Sequence, residues 1–127
     1  MKIDRILINI CSEHLLKSRD FYTHLFDFEV GYESDWFIHL VSKEKGLELG
    51  IISKTYDAVP ADFKNTPTGF YITIVVEDVQ EIYELAKAEK FDIVSRPEET
   101  FYGQHRMLLK DPDGALVDVS SPLKKNP

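Results

Sequence analysis

The chain has 127 residues, 43% of them apolar, which is enough for the core of one domain and leaves no room for a second. Its net charge of −7, from 15 lysines and arginines against 22 aspartates and glutamates, disfavours nucleic acid and anionic membranes as partners. The single cysteine, Cys11, excludes an intramolecular disulfide, and no apolar run has the pattern of a signal peptide or the length of a membrane span, so we expect a cytoplasmic protein.

The first half of the chain predicts a strand, a helix and three further strands. Ile6, Ile8 and Ile10 alternate with other residues, which indicates a strand whose isoleucines face a core. Apolar residues then recur at helical spacing, which predicts a helix over about residues 13–26 with Ser12 as its cap. Three more strands are predicted at residues 28–33, 36–42 and 47–53.

The second half repeats this order after a connector. Residues 54–68 contain two prolines and no sustained periodicity, which is typical of a connecting segment. Residues 70–76 alternate again and predict a strand, with Phe70 on its core-facing side. Asp78, with Glu81 three positions later, resembles a capping box at the start of a helix. Three closing strands are predicted at residues 91–96, 105–110 and 115–121.

The repeated order predicts an α+β fold of two tandem βαβββ modules within a single domain. Module 1 covers about residues 3–53 and module 2 about residues 69–122. Each helix would cover one face of a curved, four-stranded mixed sheet, and the two uncovered faces would together form a cup. The side chains expected to point into the cup are Leu7, Asn9, Tyr71 and Thr73.

Several short runs carry a family resemblance. The run S-R-D-F-Y at residues 18–22 is followed by L-F-D-F-E-V at residues 25–30, where Asp27 stands in place of a usual glycine. The second half has V-E-D-V at residues 76–79 and D-P-D-G at residues 111–114. These runs resemble the vicinal oxygen chelate superfamily, which includes glyoxalase I, extradiol dioxygenases and bleomycin resistance proteins. The resemblance implies the two-module fold but selects no activity, because unrelated chemistries share this scaffold.

The same resemblance assigns the positions of a metal site. Metal-dependent members of the superfamily take one His, Glu or Gln ligand from each of four strands that face the cup. The matching positions here are Leu7, Glu48, Tyr71 and Asp118. Leucine cannot ligate, a neutral tyrosine is a weak ligand, and two carboxylates without imidazole hold a transition metal poorly. We therefore expect neither a metal nor another cofactor.

The cup would instead bind a small molecule. Glu48 and Asp118 could anchor a cationic ligand, or could simply be solvated at the mouth of the cup. Aromatic side chains could stack on a flat ligand, or could fill the cup or a dimer seam. The resemblance also points His105 and Met107 into the cup. The full set of candidate ligand-binding residues is Leu7, Trp36, Glu48, Tyr71, Tyr102, His105, Met107 and Asp118.

Together with the resemblance, these observations predict a metal-free small-molecule-binding protein of the glyoxalase/bleomycin-resistance type. The sharpest example of that class is a protein that sequesters a cationic, planar drug. No catalytic residue is assigned, and an enzyme is not the favoured interpretation. One alternative is a metal-dependent lyase or dioxygenase that uses Glu48, His105 and Asp118 in a rearranged site. Another is a carrier or sensor of a metabolite. The 8 Phe, 6 Tyr and 1 Trp exceed what two thin cores need, so a homodimer is expected.

Overall fold

A computed structural model describes residues 1–123 of the chain. This part contains two α-helices and eight strands, arranged as two four-stranded mixed sheets with one helix per module. The predicted α+β fold with two βαβββ modules is therefore confirmed. The chain divides into two compact units, Met1–Pro67 and a second that begins at Thr68, so the boundary falls at the end of the predicted connector.

Module 1 forms a four-stranded sheet whose strands, counted along the chain, lie in the order first, fourth, third, second, and only the first and fourth strands are parallel. The tight turn between the last two strands uses Gly46 at φ 65°, a backbone conformation that glycine adopts without steric cost. The N-cap of the helix is His14 rather than the predicted Ser12, whose hydroxyl accepts a hydrogen bond from the His14 N–H at 3.0 Å. The elements are β1 (Ile8–Ser12), α1 (Leu15–Leu25), β2 (Phe28–Glu33), β3 (Phe37–Ser42) and β4 (Glu48–Ser53).

Module 2 repeats this topology, with its four strands again in the order first, fourth, third, second. The predicted helix start is confirmed, because the Asp78 carboxylate accepts from the backbone N–H groups of Gln80 at 3.0 Å and Glu81 at 3.4 Å. The turn between the last two strands of this module contains Gly114 at φ 90°. The elements are β5 (Tyr71–Val75), α2 (Val79–Ala88), β6 (Asp92–Glu99), β7 (Gln104–Lys110) and β8 (Leu116–Pro122).

Each module has its core between its helix and one face of its sheet. Full burial of an aliphatic or aromatic side chain contributes about 1.5–3 kcal/mol, so these residues supply most of the stabilisation of each module. The main buried residues of module 1 are Phe21, Tyr22, Leu25, Ile38, Leu40, Leu49 and Ile51. Those of module 2 are Val79, Ile82, Ala86, Met107, Leu109, Val117 and Val119.

Three apolar residues predicted to lie in these cores are exposed. Ile10 is buried as expected, but Ile6, Ile8 and Phe70 are not. The reason is the placement of the helices, since α1 packs mainly on β2, β3 and β4, and α2 mainly on β6, β7 and β8. The residues on and before the edge strands β1 and β5 therefore receive little cover. No helix within residues 1–123 is long and apolar enough to cross a membrane.

Candidate functional site

In module 1, Glu48 is held by two cationic or potentially cationic side chains. Arg5 donates its Nε–H to Oε2 at 2.9 Å and also contacts Oε1 through Nη2. Nε2 of His39 lies 2.9 Å from the same Oε1. Only 14% of the Glu48 side chain is exposed, so both carboxylate oxygens are engaged in a mostly covered position.

These contacts lower the affinity of Glu48 for a proton. The hydrogen bond from Arg5 is the main cause that holds the pKa of Glu48 below its ordinary value, and the contact with His39 adds to it. The same carboxylate raises the pKa of Arg5. Glu48 is therefore an ionised group at neutral pH whose charge is already compensated.

A glycine on the neighbouring strand makes room for His39. Gly31 lies where the β2–β3 register shifts, and a Cβ atom at this position would stand 2.8 Å from Nδ1 of His39. Real Cβ atoms essentially never approach another heavy atom so closely. The imidazole therefore rests directly against the backbone of Gly31 while its other nitrogen meets Glu48.

In module 2, Asp118 is also held from two sides. Arg106 donates its Nε–H to Oδ1 at 3.0 Å, and the Thr73 hydroxyl donates to Oδ2 at 3.1 Å. Thr73 is the register partner of Asp118 in the parallel β5–β8 ladder, so its hydroxyl is placed by the sheet itself. The Asp118 side chain is only 10% exposed and that of Arg106 is 30% exposed.

The two modules use the same cross-strand geometry. Glu48 is opposite Val41 in the β3–β4 ladder, and His39 lies two residues before Val41. Asp118 is opposite Leu108 in the β7–β8 ladder, and Arg106 lies two residues before Leu108. Because side chains two positions apart share a sheet face, each carboxylate meets a diagonal neighbour on the face turned away from its helix.

Two tyrosines lie near Arg106. Tyr71 is two residues before Thr73 and so shares its sheet face, and Tyr102 precedes β7. Both are exposed, at 54% and 56% respectively. The hydrogen bond to Asp118 is the main cause that raises the pKa of Arg106, with smaller electrostatic contributions from Tyr102 and Tyr71. We call this group, Tyr71, Thr73, Tyr102, Arg106 and Asp118, the polar face of module 2.

The expectation that Met107 lies on this face is wrong. Met107 is fully buried and pairs with Val119, on the side of the sheet that packs against α2. His105 is two residues away and shares that side, where it is half-buried. It lines a separate cavity of about 490 Å³ together with Glu77, Asp78, Ser121, Pro122 and Leu123.

The remaining candidates belong to module 1. Trp36 is half-buried just before β3 and stacks on Tyr56, with ring centroids 3.9 Å apart and an interplanar angle of 12°. Leu7 is half-buried and lies just before β1. The structure thus brings Tyr71, Tyr102 and Asp118 together in module 2, whereas Met107 and His105 lie on the other side of the same sheet.

Sequence reasoning missed the partners of the two carboxylates. His39 and Arg106 could have been found from the hairpin register, because each lies two residues before the residue opposite a carboxylate. Arg5 carries no such signal, since it precedes the first strand.

The donor set at each carboxylate does not fit a divalent metal. The oxygens of Glu48 and Asp118 already face guanidinium groups, whose positive charge would repel a metal ion. Glu48 has one neighbouring imidazole, whereas a protein transition-metal site usually supplies at least three ligands. Within residues 1–123, no group of three or more His, Cys, Asp and Glu side chains is placed to hold a metal ion.

Comparison with known proteins identifies one family. The model of the Glyoxalase/Bleomycin resistance protein/Dioxygenase superfamily matches residues 2–119. No curated protein sequence matches the chain.

Solved structures of that superfamily share the fold. A family enzyme from Burkholderia phytofirmans PsJN has a TM-score of 0.78 at 21% identity, covering 92% of this chain and 97% of its own. A superfamily member from Sphaerobacter thermophilus DSM 20745 has a TM-score of 0.75 at 20% identity, with 94% and 98% covered. A glyoxalase-related enzyme from Fulvimarina pelagi has a TM-score of 0.76 at 17% identity, with 94% and 88% covered. At these identities the likeness concerns the fold alone.

Proposed function

We propose that this chain, which belongs to the Glyoxalase/Bleomycin resistance protein/Dioxygenase superfamily, is a metal-free small-molecule-binding protein. The observation that carries the proposal is the pairing of each candidate carboxylate with an arginine, Glu48 with Arg5 and Asp118 with Arg106. A carboxylate paired with a guanidinium binds a metal ion poorly, because the positive charge of the arginine repels the ion. The lowered pKa of Glu48 also makes this group a poor general base.

The proposed binding surface is the polar face of module 2. Tyr71 and Tyr102 expose more than half of their surface, so a planar ligand can stack on their rings. Asp118 fixes the position of Arg106 rather than reaching the ligand, because each of its oxygens has a donor and only 10% of its side chain is exposed. In module 1, Leu7, Trp36 and Glu48 stay candidate contacts. Met107 is left out because it has no exposed surface.

The two arginine–carboxylate pairs also bear on the alternative functions. Binding of a cationic planar drug has less electrostatic support than the sequence suggested. The carboxylates of Glu48 and Asp118, which were expected to attract it, are already paired with arginines. A metal-dependent lyase or dioxygenase would require an arginine to leave its carboxylate. Carriage or sensing of a metabolite is compatible with the same surface, and differs from drug sequestration only in the identity of the ligand.

A homodimer and a cytoplasmic location are proposed together with this function. The homodimer rests on the exposed apolar residues of both modules, which include Val30, Val75 and Val94. The cytoplasmic location rests on the single cysteine.

Thermal unfolding with and without ligands tests the proposed function. A ligand that binds only the native state raises the unfolding temperature, so planar drugs and metabolites can be screened in parallel with zinc, nickel, iron(II) and manganese ions. We expect a shift with planar compounds that Tyr71→Ala reduces. The matched control is Tyr32→Ala, which removes a strand tyrosine of equal exposure, 54%, from module 1. One equivalent of bound metal that is lost on Glu48→Ala would overturn the proposal.

A further inference from the structure

We propose that the polar face of module 2 selects planar carboxylates, which Arg106 recognises through the two Nη nitrogens of its guanidinium. This inference rests on the proposed small-molecule-binding function and adds to it the charge of the ligand. The proposed ligand is an anion, whereas the net charge of −7 of the chain would by itself favour a cation.

The first argument is the hydrogen bonding of Asp118. One oxygen accepts from Arg106 at 3.0 Å and the other from Thr73 at 3.1 Å, and the side chain is 10% exposed. Because each oxygen already has a donor and so little of the side chain is exposed, a cationic ligand finds little accessible carboxylate surface. The negative charge on this face is therefore covered and already satisfied.

The second argument is the spare capacity of Arg106. A guanidinium has five N–H donors, and only the Nε–H of Arg106 is used, since within residues 1–123 neither Nη nitrogen makes a hydrogen bond. The edge formed by the two Nη nitrogens matches a carboxylate in the bidentate, planar arrangement that arginine favours. With 30% of its side chain exposed, Arg106 is accessible to a ligand while Asp118 holds it in place.

The arginine of module 1 provides an internal contrast. Arg5 engages Glu48 through both Nε and Nη2, so one edge of its guanidinium is fully occupied. Its side chain is 59% exposed, and no tyrosine acts on its pKa. Arg106 combines a position fixed by Asp118 with two Nη nitrogens that make no hydrogen bond within residues 1–123, and two tyrosines lie near it.

The aromatic rings define the shape of the ligand. Tyr71 and Tyr102 lie near Arg106 and each expose more than half of their surface, so their rings are accessible to a ligand. A flat aromatic or conjugated acid can stack on a ring while its carboxylate meets the guanidinium. The repulsion from distant acidic residues is screened within about 8 Å at physiological ionic strength, so the local contacts decide the preference.

Three probes that carry a negative, a neutral and a positive group test the inference. Naphthoate, naphthamide and naphthylmethylammonium differ in charge but share the same ring system. We expect naphthoate to bind the full chain most tightly in calorimetric titrations, by about tenfold or more over the neutral amide. Arg106→Gln should remove this preference and leave the affinity for naphthamide nearly unchanged. Arg96→Gln, which removes an exposed arginine from β6, should keep the preference.

A second variant guards against misfolding. Arg106→Gln leaves Asp118 with only one donor, so its effect on binding has to be separated from misfolding. The double variant Arg106→Gln/Asp118→Asn removes both charges together. We expect it to fold and to lose the same preference for naphthoate. Tighter binding of the ammonium probe, or a carboxylate preference that survives in both variants, would overturn the inference and leave the binding function standing. If none of the probes binds while other planar compounds do, the inference fails in the same way. If no planar compound of any charge binds, the proposed function fails as well.

Discussion

Arg106 and Asp118 are joined by a 3.0 Å hydrogen bond although they are not opposite each other in the β7–β8 ladder. The register partner of Asp118 is Leu108, and Arg106 reaches the carboxylate along the diagonal. The bond therefore depends on the register of the hairpin, so a shift of the strands by one residue would separate the two charges.

The first prediction concerns the stability that this pair confers. Arg106→Ala leaves Oδ1 of a mostly buried carboxylate without its donor, so we expect the free energy of unfolding to fall by about 1–3 kcal/mol. Urea denaturation followed by circular dichroism measures the change. Arg96→Ala, on the exposed part of β6, should cost much less. An equal decrease in the free energy of unfolding in the two variants would show that the Arg106–Asp118 pair does not stabilise the chain.

The second prediction concerns the pH dependence of stability. The pKa of Glu48 is lower in the folded chain than its ordinary value of 4.5, mainly because Arg5 binds the ionised form. The resulting stabilisation is present above pH 4.5 and is lost as the pH falls through the lower, folded value. Urea midpoints measured between neutral and acidic pH should therefore fall less steeply in Glu48→Gln than in the parent chain. Superimposable profiles would contradict the assigned contacts.

The third prediction concerns Gly31 and His39. A methyl group on residue 31 would displace the imidazole, so Gly31→Ala should weaken the His39–Glu48 contact and destabilise the chain. In a His39→Ala background the same substitution should be much less costly, because the clashing ring is gone. The double-mutant cycle measures this coupling by urea denaturation, and additive effects would show that the ring does not rest on the glycine.

The fold was predictable because several local signals agree. Period-two and helical patterns occur twice in the same order, and Gly46 and Gly114 mark turns that the structure places at positive φ. The exposure of Ile6 and Phe70 was not predictable, since alternation assigns a face but does not state how far the helix extends over it.

The candidate site was predictable only in part. The resemblance located the two carboxylates, but their partners depend on strand register, which becomes certain only when the hairpins are seen. Met107 shows the limit of relying on a family position. The β7–β8 turn pairs Leu108 with Asp118, so alternation alone would have directed Met107 to the opposite, core-facing side.

The last prediction separates the two faces of module 2 by experiment. Met107→Ala truncates a fully buried side chain and should lower the free energy of unfolding by about 2–5 kcal/mol. Ligand affinity of the native fraction should stay nearly unchanged, because Met107 does not reach the polar face. Tyr71→Ala should do the reverse, with little loss of stability and an affinity weaker by about 1 kcal/mol, the order of one stacking contact. Urea denaturation and calorimetric titration of both variants measure the two effects on the same samples. If Met107→Ala weakens binding while Tyr71→Ala unfolds the chain, the assignment of the two faces is inverted and the proposed binding surface is wrong.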